Sequence, residues 1–177
     1  EQKKLTLEIG FGSGENIIYM LNREPETYFL GCEPFISGVA NFLGLLEKKN
    51  FDRVKLFCGD ARIILNNISE KIFSRIIILF PDPWPKFKHH KRRIINKNNL
   101  DFFSKYLIDG GTIYTATDIK GYFDEIIATF QQNKKYKIIN ENNFTSKPKE
   151  IGQTKYGIKA RKNLRTPYYI TAQKTSR

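Results

Sequence analysis

The chain predicts a doubly wound α/β fold built on a mostly parallel sheet with an antiparallel last strand. Three observations carry that expectation. Short apolar segments alternate with stretches of helical period along the chain. Ile76-Ile77-Ile78-Leu79 is apolar enough for a strand covered on both faces. A glycine turn or an acid stands at the end of each of five successive strands, at Gly10–Gly14, Glu33, Asp60, Asp82 and Asp118. In an open sheet of this kind the carboxyl ends of the strands form the ligand edge.

Leu5-Thr6-Leu7-Glu8-Ile9 reads as the first strand and Gly10-Phe11-Gly12-Ser13-Gly14 as a turn. From Glu15 to about Leu21 the spacing is helical, with Ile17, Ile18 and Leu21 on one face. Tyr28 to Glu33 is the second strand and Ile36 to Lys49 the second helix. Val54 to Cys58 is the third strand, followed by Gly59-Asp60-Ala61 and a helix to about Asn67. The fourth strand, Ser74 to Leu79, ends in a stiff turn, because Pro81, Pro83 and Pro85 can neither continue a central strand nor enter a helix. Asn98 to Tyr106 reads as a helix that aligns Leu100, Phe103 and Leu107. Gly110-Gly111 turns into the fifth strand, Thr112 to Thr117. A helix over Lys120 to Gln132 and a sixth strand over Tyr136 to Asn140 follow. Residues 141–157 read as a polar loop, and Tyr168 to Gln173 as a seventh strand. With no internal repeat and no linker, residues 1–177 form a single domain. It starts directly on a core strand, which reads as an excised piece of a longer protein.

Composition narrows the partners. A hydrophobic content of 40% and an aromatic content of 14% describe an ordered globular chain. Thirty Lys and Arg against eighteen Asp and Glu leave a net charge of +12, which points to a polyanion. The charge is clustered. Lys86, Lys88, Lys91, Arg92 and Arg93 crowd one ribbon together with His89 and His90. From residue 147 onward, nine Lys and Arg face one acid, Glu150. No apolar run is long enough to span a bilayer, and no signal-peptide pattern is present. Cys32 and Cys58 do not form a CxxC pair, so the expectation is a cytoplasmic protein with buried free thiols. The histidines have no acid or cysteine at ligand spacing, and no metal is inferred.

The strand ends suggest a specific ligand. Gly10-x-Gly12-x-Gly14 lets the backbone approach a ligand closely. A dinucleotide fingerprint would place a further glycine where Glu15 stands, and that acid disfavours a pyrophosphate on the helix N-terminus. A nucleoside with a cationic tail and no phosphate fits better, and S-adenosylmethionine is such a molecule. Glu33 is placed to accept the ribose hydroxyls, Asp60 beside Ala61 to receive the adenine amino group, and Glu8 to bind the amino-acid end. Each single acid also has a plainer reading, and Asp60 and Asp118 could be helix caps. Asp82 is fixed between two prolines at the end of the fourth strand. Trp84 either stacks on a base or packs the turn. Lys86, Lys88, Lys91, Arg92 and Arg93 would bind RNA phosphates.

These residues resemble a known family. Asp82-Pro83-Trp84-Pro85-Lys86 with His89 and Lys91-Arg92-Arg93 is its most specific block. Glu8-Ile9-Gly10-x-Gly12-x-Gly14, Gly31-x-Glu33-Pro34, Gly59-Asp60-Ala61 and Thr117-Asp118 complete the pattern. Together they resemble the bacterial single-chain tRNA (guanine-N(7))-methyltransferases, over nearly all of residues 5–157. The resemblance implies a Rossmann-like methyltransferase sheet of seven strands, S-adenosylmethionine as cofactor, and a guanine in the tRNA variable loop as target. It implies cofactor contacts from Glu8, Glu33, Asp60 and Asp82, with Asp82 the catalytic residue. It implies substrate contacts from Lys86, Asp118 and Thr154-Lys155-Tyr156. The chain departs from the pattern at Gly157, where the family carries a glutamate, and at Lys88, where arginine is usual. Two other readings stay open: methylation of another RNA position, and a non-catalytic RNA-binding relative. Nothing in the sequence favours a monomer over a homodimer.

Overall fold

The computed structural model describes residues 4–176. Seven strands form one sheet in the order β3-β2-β1-β4-β5-β7-β6. Strands β1 (Lys4–Ile9), β2 (Thr27–Cys32), β3 (Val54–Phe57), β4 (Phe73–Leu79) and β5 (Leu107–Thr117) run parallel. Strand β7 (Tyr168–Lys174) runs antiparallel between β5 and β6 (Tyr136–Ile138). The order reverses between β1 and β4, where Leu7 pairs with Ile76 and Glu8 with Ile77. That switch point places the ends of β1 and β4 on either side of one crevice.

The isoleucine run explains the two layers. Successive strand residues point to opposite faces. Ile76 and Ile78 meet the helices α3 (Ala61–Leu65), α4 (Lys97–Phe103) and α5 (Lys120–Gln132) through Leu65, Phe103, Tyr122 and Ile126. Ile77 and Leu79 face the opposite layer, made by α1 (Glu15–Arg23) and α2 (Ile36–Leu45) with Ile17, Met20, Val39 and Phe42. Truncating a fully buried isoleucine such as Ile77 to alanine costs about 2–5 kcal/mol. The end of α1 is fastened by one side chain. Arg53 donates to the carbonyls of Leu21 at 2.8 Å, Glu24 at 2.9 Å and Thr27 at 3.2 Å.

Several expected boundaries move. Helix α2 stops at Leu45 rather than Lys49, and Lys48–Arg53 forms a 3-10 helix. Helix α4 ends at Phe103, and Leu107 already belongs to β5. Leu107 pairs with Phe73 and Thr112 with Arg75, so residues 108–111 bulge out through Gly110 at φ +76°. Residues 141–157 are not loop to their end: Lys155–Lys162 is an additional helix, α6. Its single short apolar stripe, broken by Gly157, hides it from a reading based on periodicity. Of the two thiols only Cys32 is buried, and burial together with the Asp60 charge pushes its pKa up to about 12. Cys58, expected inside, is exposed, because β3 ends one residue earlier at Phe57.

Candidate active site

A cleft of about 1260 Å³ opens along the carboxyl edge of the sheet. It exceeds the roughly 300–1,000 Å³ of an ordinary small-molecule site, which leaves room for a nucleoside and a second base. Its wall includes Gly10, Gly12, Glu33, Asp60, Ala61, Asp82, Trp84, Lys91, Arg92, Lys155 and Tyr156.

The floor is the glycine turn. Gly10, Gly12 and Gly14 all have positive φ, at +72°, +58° and +78°. At Gly14 a side chain would also meet the Phe42 ring at 2.1 Å, so α1 can start there only on glycine. Gly12 N–H donates to Glu33 Oε2 at 2.8 Å, and Phe35 N–H donates to Glu33 Oε1 at 3.0 Å. Glu33 is buried at the end of β2. Two backbone donors hold it rigidly, and each oxygen keeps a further lone pair for a ligand in the cleft.

Asp60 caps α3, accepting from Arg62 N–H at 2.9 Å, which is the plainer of its two readings. The Arg62 guanidinium also pairs with it at 2.5 Å and holds its carboxyl below the usual range. The pair is about half exposed and lines the cleft, so Asp60 keeps access to a ligand.

Asp82 sits on a strained turn. Phe80 at φ +50° and Trp84 at φ +43° bracket it, and neither is glycine. Asp82 is exposed on the cleft wall, and no hydrogen bond or ion pair engages its carboxylate among the described residues. The turn is held from outside. Phe80 N–H donates to Ala116 O at 2.8 Å, and Arg93 Nε donates to Pro83 O at 2.7 Å. Arg93 also pairs with Glu125 of α5, and its guanidinium lies 4.7 Å from the centre of the Tyr122 ring. This differs from the role expected of Arg93 as a freely exposed cation: it is 5% exposed, lines the cleft, and is engaged by Pro83, Glu125 and Tyr122. Sequence shows its charge, whereas its burial depends on α5, some thirty residues later.

The rest of the basic ribbon is open to solvent. Lys86, Lys88, Lys91 and Arg92 are exposed along a 3-10 helix over Phe87–Arg92. Lys91 and Arg92 reach the cleft wall. Trp84 serves the turn and the cleft together: the Arg92 guanidinium stacks 4.8 Å from its ring, and His89 meets it edge-on at 5.8 Å.

Helix α6 closes the other side. Thr154 caps it, accepting from Gly157 N–H at 3.2 Å. Lys155 Nζ donates to Ser13 Oγ at 2.9 Å, and Tyr156 lies against Gly12. The segment expected to touch substrate therefore reaches the glycine turn itself.

Seven expected residues stand outside the cleft wall: Glu8, Gly14, Lys86, Lys88, Asp118, Thr154 and Gly157. Asp118 does not cap α5, whose first-turn cap is Ile119. It pairs with Arg165 at 3.2 Å. Glu8 is buried beneath the turn, where Asn16 Nδ2 donates to it at 2.8 Å. Burial raises its pKa to about 8, so at neutral pH it is largely a neutral acid. Asn16 Oδ1 in turn accepts from Gly152 N–H at 2.7 Å and so ties Glu8 to the approach to α6. Conversely, the sequence reading passed over Asn96, Asn98 and Asn99 on the cleft wall. Their signal is the asparagine cluster at the start of α4, where Asn96 is the cap. Among the described residues no helix is long and apolar enough to cross a membrane, and no three His, Cys, Asp or Glu side chains gather as a metal site.

The family described as "Putative methyltransferase" matches residues 2–170. A bifunctional methyltransferase of Rickettsia felis is 40% identical over 99% of this chain, and the chain spans about a third (33%) of that protein's length. A tRNA (guanine-N(7)-)-methyltransferase of Wolbachia pipientis is 39% identical over 93% of this chain and 72% of its own. Among solved structures, an rRNA methylase from Streptococcus thermophilus superposes with a TM-score of 0.65 at 8% identity, over 99% of this chain and 89% of that one. A tRNA (m1A58) methyltransferase from Aquifex aeolicus does so with 0.62 at 16% identity, over 100% and 61%. Those two likenesses concern the fold. The 39% sequence identity over 93% of this chain and 72% of the Wolbachia relative, with the family match over residues 2–170, goes further, and by it the chain belongs to the tRNA (guanine-N(7)-)-methyltransferase family.

Proposed function

We propose that this chain transfers a methyl group from S-adenosylmethionine to N(7) of a guanine in tRNA, in the variable loop. The observation that carries the reading is the meeting of three features in one cleft: the glycine turn with its clamped Glu33, the unpartnered Asp82, and the cationic rim. The residues fit the cofactor. At Gly10 a Cβ would find nothing within 4 Å, so the backbone lies bare to the cleft, and Glu33 and Asp60 stand at successive strand ends. Bound there, S-adenosylmethionine supplies an electrophilic methyl on a sulfonium.

Guanine N(7) carries a lone pair and no proton, so the protein has no proton to remove before attack. Its tasks are placement and charge. Lys86, Lys88, Lys91 and Arg92 hold the RNA backbone at the rim. Asp82 faces the ring that turns cationic as the methyl arrives, and its fixed negative charge stabilises that change. The rigid turn means little reorganisation is needed at the moment of reaction. Lys155 and Tyr156 bound the cleft from the α6 side and, with Thr154, Lys86 and Asp118, form the substrate contacts. Glu8 acts through Asn16, beneath the cofactor floor. The protein works in the cytoplasm, where tRNA is found.

The test is incubation with unmodified tRNA and methyl-labelled S-adenosylmethionine, followed by nucleoside analysis. Label in 7-methylguanosine is expected. Label in another nucleoside would replace this reading with a different RNA methyltransferase.

A further inference from the structure

Phe87 and Leu164 are 88% and 96% exposed, the highest values among the large apolar side chains described. An isolated exposed apolar side chain is ordinary. The setting of these two is not. Phe87 stands between Lys86 and Lys88 and opens the basic 3-10 helix. Leu164 stands between Asn163 and Arg165, directly after the Arg161-Lys162 end of α6. Leu164 holds φ at +56°, with Arg165 N–H closing the helix end on Ala160 O at 2.9 Å. Glycine is the usual residue at such a helix end, and leucine there is strained. A fully solvated leucine contributes nothing to the fold that would offset this strain.

Neither tip lines the cleft, but each belongs to a segment that reaches its wall, the 3-10 helix through Lys91 and Arg92 and α6 through Lys155 and Tyr156, and the two segments lie on opposite faces of the sheet. Phe87 belongs to the α5 side: its ring packs on His90 at 5.4 Å, and His90 Nδ1 lies 3.8 Å from Glu125. Leu164 belongs to the α1 side, because α6 rests on Ser13 and faces Phe80. Its neighbour Arg165 pairs with Asp118 at the end of β5.

Resting on the reading that the substrate is tRNA, we infer that Phe87 and Leu164 are apolar wedges that pack on RNA bases at either side of the cleft. The surrounding cations hold the adjacent phosphates. The wedges cover the faces of unstacked bases, which keeps the strand open around the guanine presented to Asp82. Cations alone would bind backbone without stabilising an opened strand.

The test compares wild type, Phe87→Ala and Leu164→Gly in tRNA binding, S-adenosylmethionine binding and thermal melting. Each variant is expected to raise the Kd and KM for tRNA on the order of tenfold. The dependence of Kd on salt should keep its slope, since no phosphate contact is lost. Cofactor affinity should not change. Leu164→Gly should melt at or above the wild-type temperature, because glycine relieves the positive φ, so its weaker binding cannot be loss of fold. Wild type that binds tRNA, with both variants binding equally well, overturns the wedges and leaves the proposed function standing. Wild type that does not bind tRNA overturns both.

Discussion

Arg93 Nε donates to the Pro83 carbonyl at 2.7 Å, and this bond ties the Asp82 turn to helix α5 through the Arg93–Glu125 pair. Arg93 lines the cleft, and through this bond it positions Asp82. Arg93→Ala should lower kcat about 100-fold while changing the KM for tRNA little, because the loss is one of placement. Arg93→Lys should not rescue it, since a lysine cannot serve both the carbonyl and the carboxylate in a planar fork. Steady-state kinetics on the two variants, with melting curves, check this. Glu125 is 36% exposed, so the stability cost should fall at the lower end of the about 3–5 kcal/mol typical of a broken buried pair.

Glu33 clamps the glycine turn with both oxygens. Glu33→Gln keeps the shape but turns one acceptor oxygen into a donor that faces an N–H. With charge-assisted bonds worth about 1.5–3 kcal/mol, the Kd for S-adenosylmethionine should rise roughly 10- to 100-fold in a calorimetric titration.

Glu8 makes stability depend on pH. Its folded-state pKa is raised from 4.5 to about 8. Its contribution is therefore whole below pH 4.5 and is lost as pH rises to about 8, since the unfolded carboxyl ionises first. The slope within that window is at most about 1.4 kcal/mol per pH unit. Glu8→Gln removes the titration, so denaturant midpoints measured from pH 5 to 8 should fall for wild type and stay flatter for the variant.

Gly157 occupies the third helical position after the Thr154 cap of α6. A glutamate there completes a capping box, in which the threonine and the glutamate each satisfy the other's backbone N–H. The nearest atoms a Cβ at 157 would meet are Gln153 Nε2 at 3.2 Å and the Phe80 ring at 3.5 Å, and the Gln153 side chain can shift. Gly157→Glu should stabilise α6 by about 1 kcal/mol and raise Tm by roughly 2–4 °C. Differential scanning fluorimetry reads this directly.

The layout of the site was legible before any coordinates, because strand ends follow from local pattern. Ile76–Leu79 alternates between two cores, so the acid that follows must lie at the carboxyl edge beside the glycine turn. Helix α5 also has the bounds expected, Lys120–Gln132, since its apolar stripe is unbroken. What stayed hidden depends on partners distant in sequence. Arg93 looked like its cationic neighbours until Glu125 and Tyr122 enclosed it. Asp118 reads as a cap or a ligand contact until Arg165 pairs with it. Glu8 stands in the right strand but turns under the floor toward Asn16.

The most direct test of the account is Asp82→Ala, assayed for methyl transfer and for tRNA binding side by side. Asp82 has no partner within the described protein to lose, so the fold and the RNA surface should survive the change. Transfer to tRNA should fall by roughly 100-fold or more, with the Kd for tRNA close to that of wild type. Transfer at the wild-type rate, or equal losses in binding and transfer, would contradict the placement of the chemistry at Asp82.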